Sequence, residues 1–273
     1  MTDPTTVFLE RPGGRIAYDD TGGSGRLVVA APGMGDLRQV YRHLAPHLER
    51  AGFRFVSMDL RGLGESSLGW SDFTDAAVAS DLLALIGHLG GGPAVVIGNS
   101  MSAASAVIAA TDEPGRVAGL VLIGPFARNA PIKWWQAMAF RIGLLPPWGR
   151  SIWLDYYRDK LYPEVEPPDL DEYVSALRAN LRERGRLAAF RAMARNSHAE
   201  SGERLTGVRQ PVLVIMGEAD PDFPDPAAEA KAIASTTRGE VLMVKRSGHY
   251  PQADSPEKIA PQVIAFVKKA FRS

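Results

Sequence analysis

Short runs of consecutive apolar residues alternate along this chain with longer segments in which apolar residues recur every three or four positions. The short runs predict β-strands over 26–31, 53–58, 94–97, 119–123, 212–216 and 241–244. Apart from Arg26, Arg54 and Ser57, these runs are non-polar at every position rather than at every second one. We therefore expect strands that are covered on both faces, as in a mostly parallel sheet.

The periodic segments predict helices that lie between the strands, over 40–51, 72–89, 102–110 and 257–271. Two earlier strands, 7–11 and 15–19, flank Pro12-Gly13-Gly14, and this spacing predicts a hairpin at the N-terminal edge of the sheet. Strands that alternate with amphipathic helices are typical of an α/β fold with a doubly wound sheet.

The alternation of strands and helices stops at about residue 128 and resumes at about residue 209. No run between them has strand character, whereas helical patterns cover 133–145, 149–161, 170–183 and 186–194. We therefore predict a core formed by residues 1–127 and 209–273 and a helical insertion formed by residues 128–208. The insertion contains four of the five tryptophans, Trp134, Trp135, Trp148 and Trp153. Their side chains either fasten the insertion to the sheet or line a ligand cavity.

The composition excludes several classes of function. The 273 residues carry 31 basic and 31 acidic side chains and no cysteine. A net charge of zero argues against a nucleic-acid partner, which favours an excess of Lys and Arg, and the lack of cysteine excludes thiol chemistry and cysteine metal sites. No signal peptide or membrane segment is indicated. We expect a cytoplasmic protein that acts on a small molecule, and the sequence leaves its oligomeric state open.

The segment Ala94 to Ala103 runs from a predicted strand through Ser100 into a helix of small residues. Such a strand–turn–helix places a serine on a sharp corner at the carboxyl end of a sheet, where small neighbours let the two backbones approach. Gly98 meets this requirement fully. Ser102 meets it only in part, because the usual pattern, Gly-x-Ser-x-Gly, has a glycine there.

A serine hydroxyl needs a neighbouring base to take its proton, and histidine suits that task at neutral pH. Of the five histidines, His249 alone follows a predicted sheet strand, in a Gly-His loop. We expect the others, His43, His47, His88 and His198, to be helix-surface or packing residues. His43 and His47 stand four residues apart but lack a His-Glu-x-x-His pattern, so we predict no metal there.

The histidine in turn needs a carboxylate to orient its ring. Asp220 lies four residues after the predicted strand 212–216. Spacing alone does not separate it from Glu218, Asp222 and Asp225.

In their order along the chain, these motifs resemble those of the α/β-hydrolase superfamily, over essentially the whole length. The segment Ala31-Pro32-Gly33-Met34-Gly35 resembles the oxyanion loop, with Pro32 where histidine is usual. Residues 59–66 match the turn Asp-x-Arg-Gly-x-Gly-x-Ser. Residues 217–220 with Pro224 resemble the acid loop, and Ser247-Gly248-His249 resembles the histidine loop. The resemblance implies a mostly parallel, doubly wound sheet with a helical lid as its insertion.

The same resemblance assigns roles to individual residues. It implies a catalytic triad of Ser100, Asp220 and His249, with Asp220 favoured over its neighbours by the match Gly-x-x-Asp-x-x-x-Pro. The backbone N–H groups of Met34 and Met101 are the expected oxyanion donors. Substrate contacts from the lid are expected at three tryptophans, Trp134, Trp135 and Trp153.

These residues together predict a serine hydrolase that needs no cofactor or metal. We expect it to cleave a small, rather apolar ester or lactone through an acyl-enzyme on Ser100, the apolarity being inferred from the aromatic insertion. Three alternatives stay open because the sequence does not reveal the bond that is broken. They are a carbon–carbon bond hydrolase, a cofactor-free perhydrolase and a receptor-like protein with little turnover.

Overall fold

An eight-stranded sheet forms the centre of the molecule. The computed structural model describes residues 6–90, 92–129 and 134–272, apart from the side chains of Trp134, Gln136 and Ala137. The strands are β1 (Val7–Arg11), β2 (Gly14–Asp20), β3 (Leu27–Ala31), β4 (Arg54–Met58), β5 (Ala94–Asn99), β6 (Val117–Ile123), β7 (Val212–Gly217) and β8 (Glu240–Val244). Their order in the sheet is β1-β2-β4-β3-β5-β6-β7-β8. Only β2 pairs antiparallel, with β1 and with β4.

The mostly parallel α/β sheet predicted from the apolar runs is confirmed. Every residue of β5 and of β7 is buried, because helices cover both faces of the central strands. The edge strand β8 keeps its first residues exposed. The predicted hairpin corresponds to β1 and β2, paired from Val7 with Tyr18 to Arg11 with Gly14.

Helices connect the strands and also fill the insertion. They are α1 (Ala45–Arg50), α2 (Asp75–His88), α3 (Met101–Asp112), α4 (Trp134–Gly143), α5 (Gly149–Asp159), α6 (Leu170–Arg182), α7 (Arg186–Met193), α8 (Ala199–Arg204), α9 (Pro226–Thr237), α10 (Pro251–Asp254) and α11 (Pro256–Ala270). Within the described ranges, none of these helices has both the length and the apolar composition that a membrane span requires.

The structure differs from the periodic pattern in two places. The predicted helix 40–51 is divided into a 3-10 turn, Arg38–Tyr41, and α1, which has Pro46 in its first turn. A proline has no N–H to give to the preceding turn, so a helix begins there instead of continuing. Helix α8 is not predicted because its six residues, AESGER, carry no apolar periodicity.

The topology places the candidate residues at one edge of the sheet. Strands β3, β5, β6, β7 and β8 are parallel neighbours, so the loops that follow them emerge on the same side. Met34 follows β3, Ser100 follows β5, Asp220 follows β7 and His249 follows β8. In open α/β sheets this edge is where ligands bind.

Candidate active site

Ser100 lies on a sharp turn between β5 and α3. Its backbone has φ 55° and ψ −124°, a conformation that L-residues rarely adopt. Close approach of the two elements explains why Gly98 is needed, since a Cβ at that position would lie 2.3 Å from the carbonyl oxygen of Ser102. The strained corner projects the serine at the carboxyl end of the sheet.

Ser102, which occupies the position of the usual second glycine, contributes a contact of its own. Its Oγ donates a hydrogen bond to the carbonyl oxygen of Pro32 at 2.5 Å. The side chain therefore ties the first turn of α3 to the loop that precedes Met34. The loop passes so close to the serine corner that a Cβ on Gly33 would lie 2.9 Å from Cβ of Ser100.

The structure brings His249 against two carboxylates. Nδ1 of His249 lies 2.8 Å from Oδ2 of Asp220 and 3.5 Å from Oδ2 of Asp222. The backbone N–H of Asp222 donates to the other oxygen of Asp220 at 3.0 Å. The side chain of Asp220 is fully buried, whereas that of Asp222 is 21% exposed. Asp225, another candidate acid by sequence spacing, accepts a hydrogen bond from the N–H of Ala228 and caps α9.

The charges around His249 shift its proton affinity. Burial lowers the pKa of His249, but the charges of Asp220 and Asp222 outweigh that effect and raise the pKa to about 9. Burial and the nearby Asp220 raise the pKa of Asp222, and Tyr156 donates its hydroxyl to the Asp222 carboxylate. The pair Asp220 and His249 thus holds the imidazole with Nδ1 toward the carboxylate, which leaves Nε2 free for chemistry.

The loop of His249 is also fixed through its backbone. The N–H of His249 donates to the carbonyl oxygen of Leu161, in the insertion, at 3.1 Å. The side-chain amide of Asn99 donates to the carbonyl oxygens of Ile123, at 3.0 Å, and of His249, at 3.4 Å. Asn99, which directly precedes Ser100, therefore fixes the loop that carries His249.

Ser100 and His249 line one cavity of about 620 Å³ between the sheet edge and the insertion. Met34 and Met101 line it as well. Its other apolar and aromatic walls are formed mainly by Phe126, Phe140, Leu144, Ile152, Trp153, Tyr156 and Tyr250. A cavity of this size, with apolar walls and a polar strip along residues 195–198, suits a small organic ligand.

The three predicted lid tryptophans have different environments. Trp153 is buried and lines the cavity, and its Nε1 donates to the carbonyl oxygen of Gly35 at 3.1 Å. The side chain of Trp135 is 52% exposed and is not part of the cavity wall. The side chain of Trp134 lies outside the described residues.

The loop that carries Met34 is held by side chains of the insertion. Asp36 is completely buried and accepts hydrogen bonds from the hydroxyls of Tyr173, at 2.6 Å, and Tyr157, at 3.2 Å. Burial raises the pKa of Asp36 to about 6, although these hydrogen bonds and that from the Leu37 N–H lower it. Helices α5 and α6 therefore clamp the loop after β3 in place.

Sequence reasoning missed His198 as a residue of the site. It lines the cavity, and its Nδ1 lies 2.7 Å from Oδ2 of Asp75. Apart from His249, the other histidines with carboxylate partners lie outside the cavity wall, with His43 beside Asp169 and His47 beside Glu257. His198 sits in the loop between α7 and α8, where no helical or strand period marks a buried face, so the sequence offered no signal.

Among the described residues, one cluster of His and carboxylate groups has ligand atoms within 4.8 Å of one another, and it consists of Asp220, Asp222 and His249. These residues could hold a metal ion only if Nδ1 of His249 gave up its hydrogen bond to Asp220. The existing arrangement matches the histidine–carboxylate pair that a nucleophilic serine requires.

Comparison with known proteins identifies the same family as the motifs. A model of the alpha/beta hydrolase family matches residues 28–262. The chain is 26% identical, over 93% of its own length and 91% of the relative, to the 2-hydroxy-6-oxononadienedioate/2-hydroxy-6-oxononatrienedioate hydrolase of Burkholderia vietnamiensis. It is 28% identical to the polyketide synthase ThaQ of Burkholderia thailandensis, over 98% of this chain but only 13% of that protein. Among solved structures it resembles a malate-bound thermophilic esterase from Thermogutta terrifontis, with a TM-score of 0.77, 26% identity and coverage of 97% and 99% of the two chains.

Proposed function

We propose that this chain, which belongs to the alpha/beta hydrolase family, is a serine hydrolase that cleaves a small, rather apolar ester or lactone. One observation carries the proposal. His249 rests on Asp220 at 2.8 Å and shares with Ser100 a cavity whose other walls are mainly apolar. The helices from α4 to α8, within residues 128–208, form the lid of that cavity in this proposal.

The reaction uses the three side chains in turn. Ser100 Oγ attacks the carbonyl carbon of the substrate while Nε2 of His249 takes the hydroxyl proton. Asp220 keeps the imidazole oriented and stabilises its charged form. The backbone N–H groups of Met34 and Met101 stabilise the oxyanion of the tetrahedral intermediate. The intermediate collapses, His249 protonates the departing alcohol, and a water activated by His249 releases the acid from Ser100.

A second candidate keeps the same residues and changes the bond that breaks. The relative from Burkholderia vietnamiensis is named as a hydrolase of 2-hydroxy-6-oxononadienedioate, and it aligns over 91% of its length. The named compound contains no ester, so its hydrolysis must break a carbon–carbon bond. In such a reaction Ser100 attacks a ketone, and His249 delivers its proton to the departing carbon. The esterase from Thermogutta terrifontis, at the same identity, supports the first candidate.

Turnover of matched substrates by the native protein separates the two. The measurement is kcat/KM for two kinds of substrate: p-nitrophenyl esters from acetate to octanoate, and the diketo acid 2-hydroxy-6-oxonona-2,4-dienedioate. A fluorophosphonate probe reports the reactive serine. Labelling with a preference for the longer esters supports the first candidate. Faster cleavage of the dienedioate supports the second, and absence of both labelling and turnover contradicts the two together.

The charge environment of His249 predicts the pH dependence of the reaction. The base must be neutral to take a proton, so kcat/KM is expected to rise with pH until about 9, the pKa of His249. Asp222→Asn removes one of the charges that raise this pKa, and the rise is expected to move to lower pH. A pH–rate profile of both proteins tests this. A profile of the variant that coincides with the native one, or moves to higher pH, would contradict it.

The clamp on the Met34 loop predicts a joint effect on stability and turnover. Tyr173→Phe removes the shorter hydroxyl bond to the buried Asp36, and we expect the free energy of unfolding to fall by ~1–3 kcal/mol. The expected fall in kcat is smaller than the ~10²-fold loss that removal of an oxyanion donor causes, with little change in KM.

Urea unfolding and steady-state kinetics measure both effects. Tyr162→Phe is the matched control, because the hydroxyl of Tyr162 contacts that of Tyr157, at 3.3 Å, and makes no hydrogen bond to Asp36. Equal losses in the two variants would show that the clamp does not depend on Asp36.

A further inference from the structure

A second histidine–carboxylate pair faces the active-site cavity. Nδ1 of His198 lies 2.7 Å from Oδ2 of Asp75, as Nδ1 of His249 lies 2.8 Å from Asp220. The carboxylate is nearly buried, with 5% of the Asp75 side chain exposed, whereas the His198 side chain is 16% exposed and lines the cavity. With Nδ1 directed at Asp75, Nε2 is the ring nitrogen left for a ligand. Nε2 donates to a carboxylate when both ring nitrogens carry a proton, because a ring protonated at Nδ1 alone has a lone pair on Nε2.

The two imidazoles pack against the same aromatic ring. The centroid of Phe126 is 6.0 Å from that of His198 and 6.1 Å from that of His249. The backbone N–H of Phe126 also donates to the carbonyl oxygen of Ser100 at 3.2 Å. His198 and the candidate catalytic base therefore share a contact with one ring, whose backbone is anchored at the candidate nucleophile.

The loop that carries His198 is held in position by several contacts. Oδ1 of Asn129 accepts from the N–H of His198 at 2.8 Å, and the Asn129 amide donates to Oγ of Ser197 at 3.2 Å. The amide of Asn196 donates to the carbonyl oxygen of Phe73 at 2.7 Å. A loop fixed in this way presents its side chains to a ligand with little loss of entropy on binding.

This side of the cavity also carries positive charge. Four consecutive residues, Arg195 to His198, line it, and Arg141 lines it from α4. Within the described ranges neither arginine forms an ion pair. The one carboxylate on the cavity wall, Asp222, is engaged by Tyr156 and His249. Asn196 already uses its amide N–H on Phe73, so the guanidinium of Arg195 is the cationic donor that residues 195–198 offer to a ligand.

We propose that His198, oriented by Asp75 and assisted by Arg195, binds a carboxylate at the end of the substrate remote from the bond that Ser100 attacks. This inference rests on the proposed function. It specifies the substrate as an ester that has an apolar middle and carries one carboxylate at its far end, such as the monoester of a dicarboxylic acid. The apolar wall of the cavity accommodates the chain between the carboxylate and the scissile carbonyl. Charged imidazole and guanidinium groups are the usual protein partners of a carboxylate.

The test compares charged and neutral esters of the same length. Monomethyl succinate, glutarate and adipate are each paired with the corresponding dimethyl ester, and methanol release gives kcat/KM for both. The native enzyme is expected to prefer at least one monoester over its diester by ~10-fold or more, the effect of one charge-assisted hydrogen bond. Because the readout is a ratio within one protein sample, partial unfolding of a variant does not change it.

Two substitutions locate the effect. His198→Leu is expected to bring the monoester preference close to one. His198→Gln retains an amide that can reach Asp75 but carries no charge, and it is expected to lose most of the preference while folding normally. The matched control is His43→Leu, which breaks another histidine–carboxylate pair between core and insertion, the one with Asp169, outside the cavity.

Each outcome has a distinct meaning. A preference that falls in both His198 variants and persists in His43→Leu supports the inference. Hydrolysis of all the esters without a monoester preference overturns it and leaves the proposed function standing. A preference that survives both His198 substitutions overturns the role of His198. Absence of hydrolysis of every ester, together with absence of fluorophosphonate labelling, is instead a failure of the proposed function.

Discussion

Ester hydrolysis by the Ser100→Ala variant is expected to be slower than that of the native protein by a factor on the order of 10⁶, the loss measured when the triad serine of another hydrolase is removed. The substitution removes only the hydroxyl group, whose oxygen forms the acyl-enzyme in the proposed reaction. Alanine can occupy the same strained backbone conformation, so the fold and the cavity should remain. Covalent labelling by a fluorophosphonate is expected to disappear in the same variant.

A second serine gives this experiment its control. Ser102 lies two residues further along, is fully buried and uses its hydroxyl to bind the carbonyl oxygen of Pro32. Ser102→Ala should therefore retain labelling, with a moderate loss of stability and rate. Peptide mapping of the labelled native protein locates the modified residue. Labelling or native-like turnover in Ser100→Ala would show that another residue is the nucleophile.

The sheet, and the edge of it at which the candidate site lies, were predictable because they depend on local sequence patterns. Strands such as β5 and β7 are short runs rich in β-branched residues, and before Asn99 at the end of β5 they have no polar position, which suits a strand buried on both faces. Once the strands are parallel, the residues after them must lie at one edge of the sheet. That rule alone brings Ser100, Asp220 and His249 together from distant parts of the chain.

Contacts that depend on the docking of the insertion were not predictable. Asp36 follows Gly35 in the loop after β3, and nothing near it in the sequence indicates Tyr157 or Tyr173, more than a hundred residues later. His198 is paired with Asp75 at a similar separation. A periodic pattern reports which face of a helix is buried, but it carries no information about which side chain of another element meets that face.

The choice of acid illustrates the same limit at short range. Asp220 and Asp222 are two residues apart, and either could reach a histidine from a loop after β7. What distinguishes them is backbone geometry. The N–H of Asp222 binds Asp220 and fixes its carboxylate, while Asp222 itself turns toward Tyr156.

Substitution of the two aspartates by asparagine should therefore have very different effects. Asp220→Asn is expected to lower kcat by ~10⁴-fold, as happens when the triad aspartate of another hydrolase is neutralised, because the amide no longer selects the productive tautomer of His249. Asp222→Asn is expected to lower kcat by ~10-fold or less, since its carboxylate lies 3.5 Å from Nδ1 of His249 against 2.8 Å for Asp220. The comparison is made with p-nitrophenyl butyrate above pH 9, where the raised pKa of His249 no longer limits the native rate.

Pre-steady-state acylation adds a readout that a merely structural loss would not reproduce. Asp220→Asn should keep the burst amplitude, which counts folded active sites, while the burst rate falls with kcat. If Asp222→Asn lowered kcat more than Asp220→Asn does, the triad acid would be Asp222. In that case the 3.5 Å contact must shorten when substrate binds, and Tyr156, which holds Asp222 in the present arrangement, would have to release it. Tyr156→Phe would then raise the rate, whereas with Asp220 as the acid it leaves the rate within about tenfold of native.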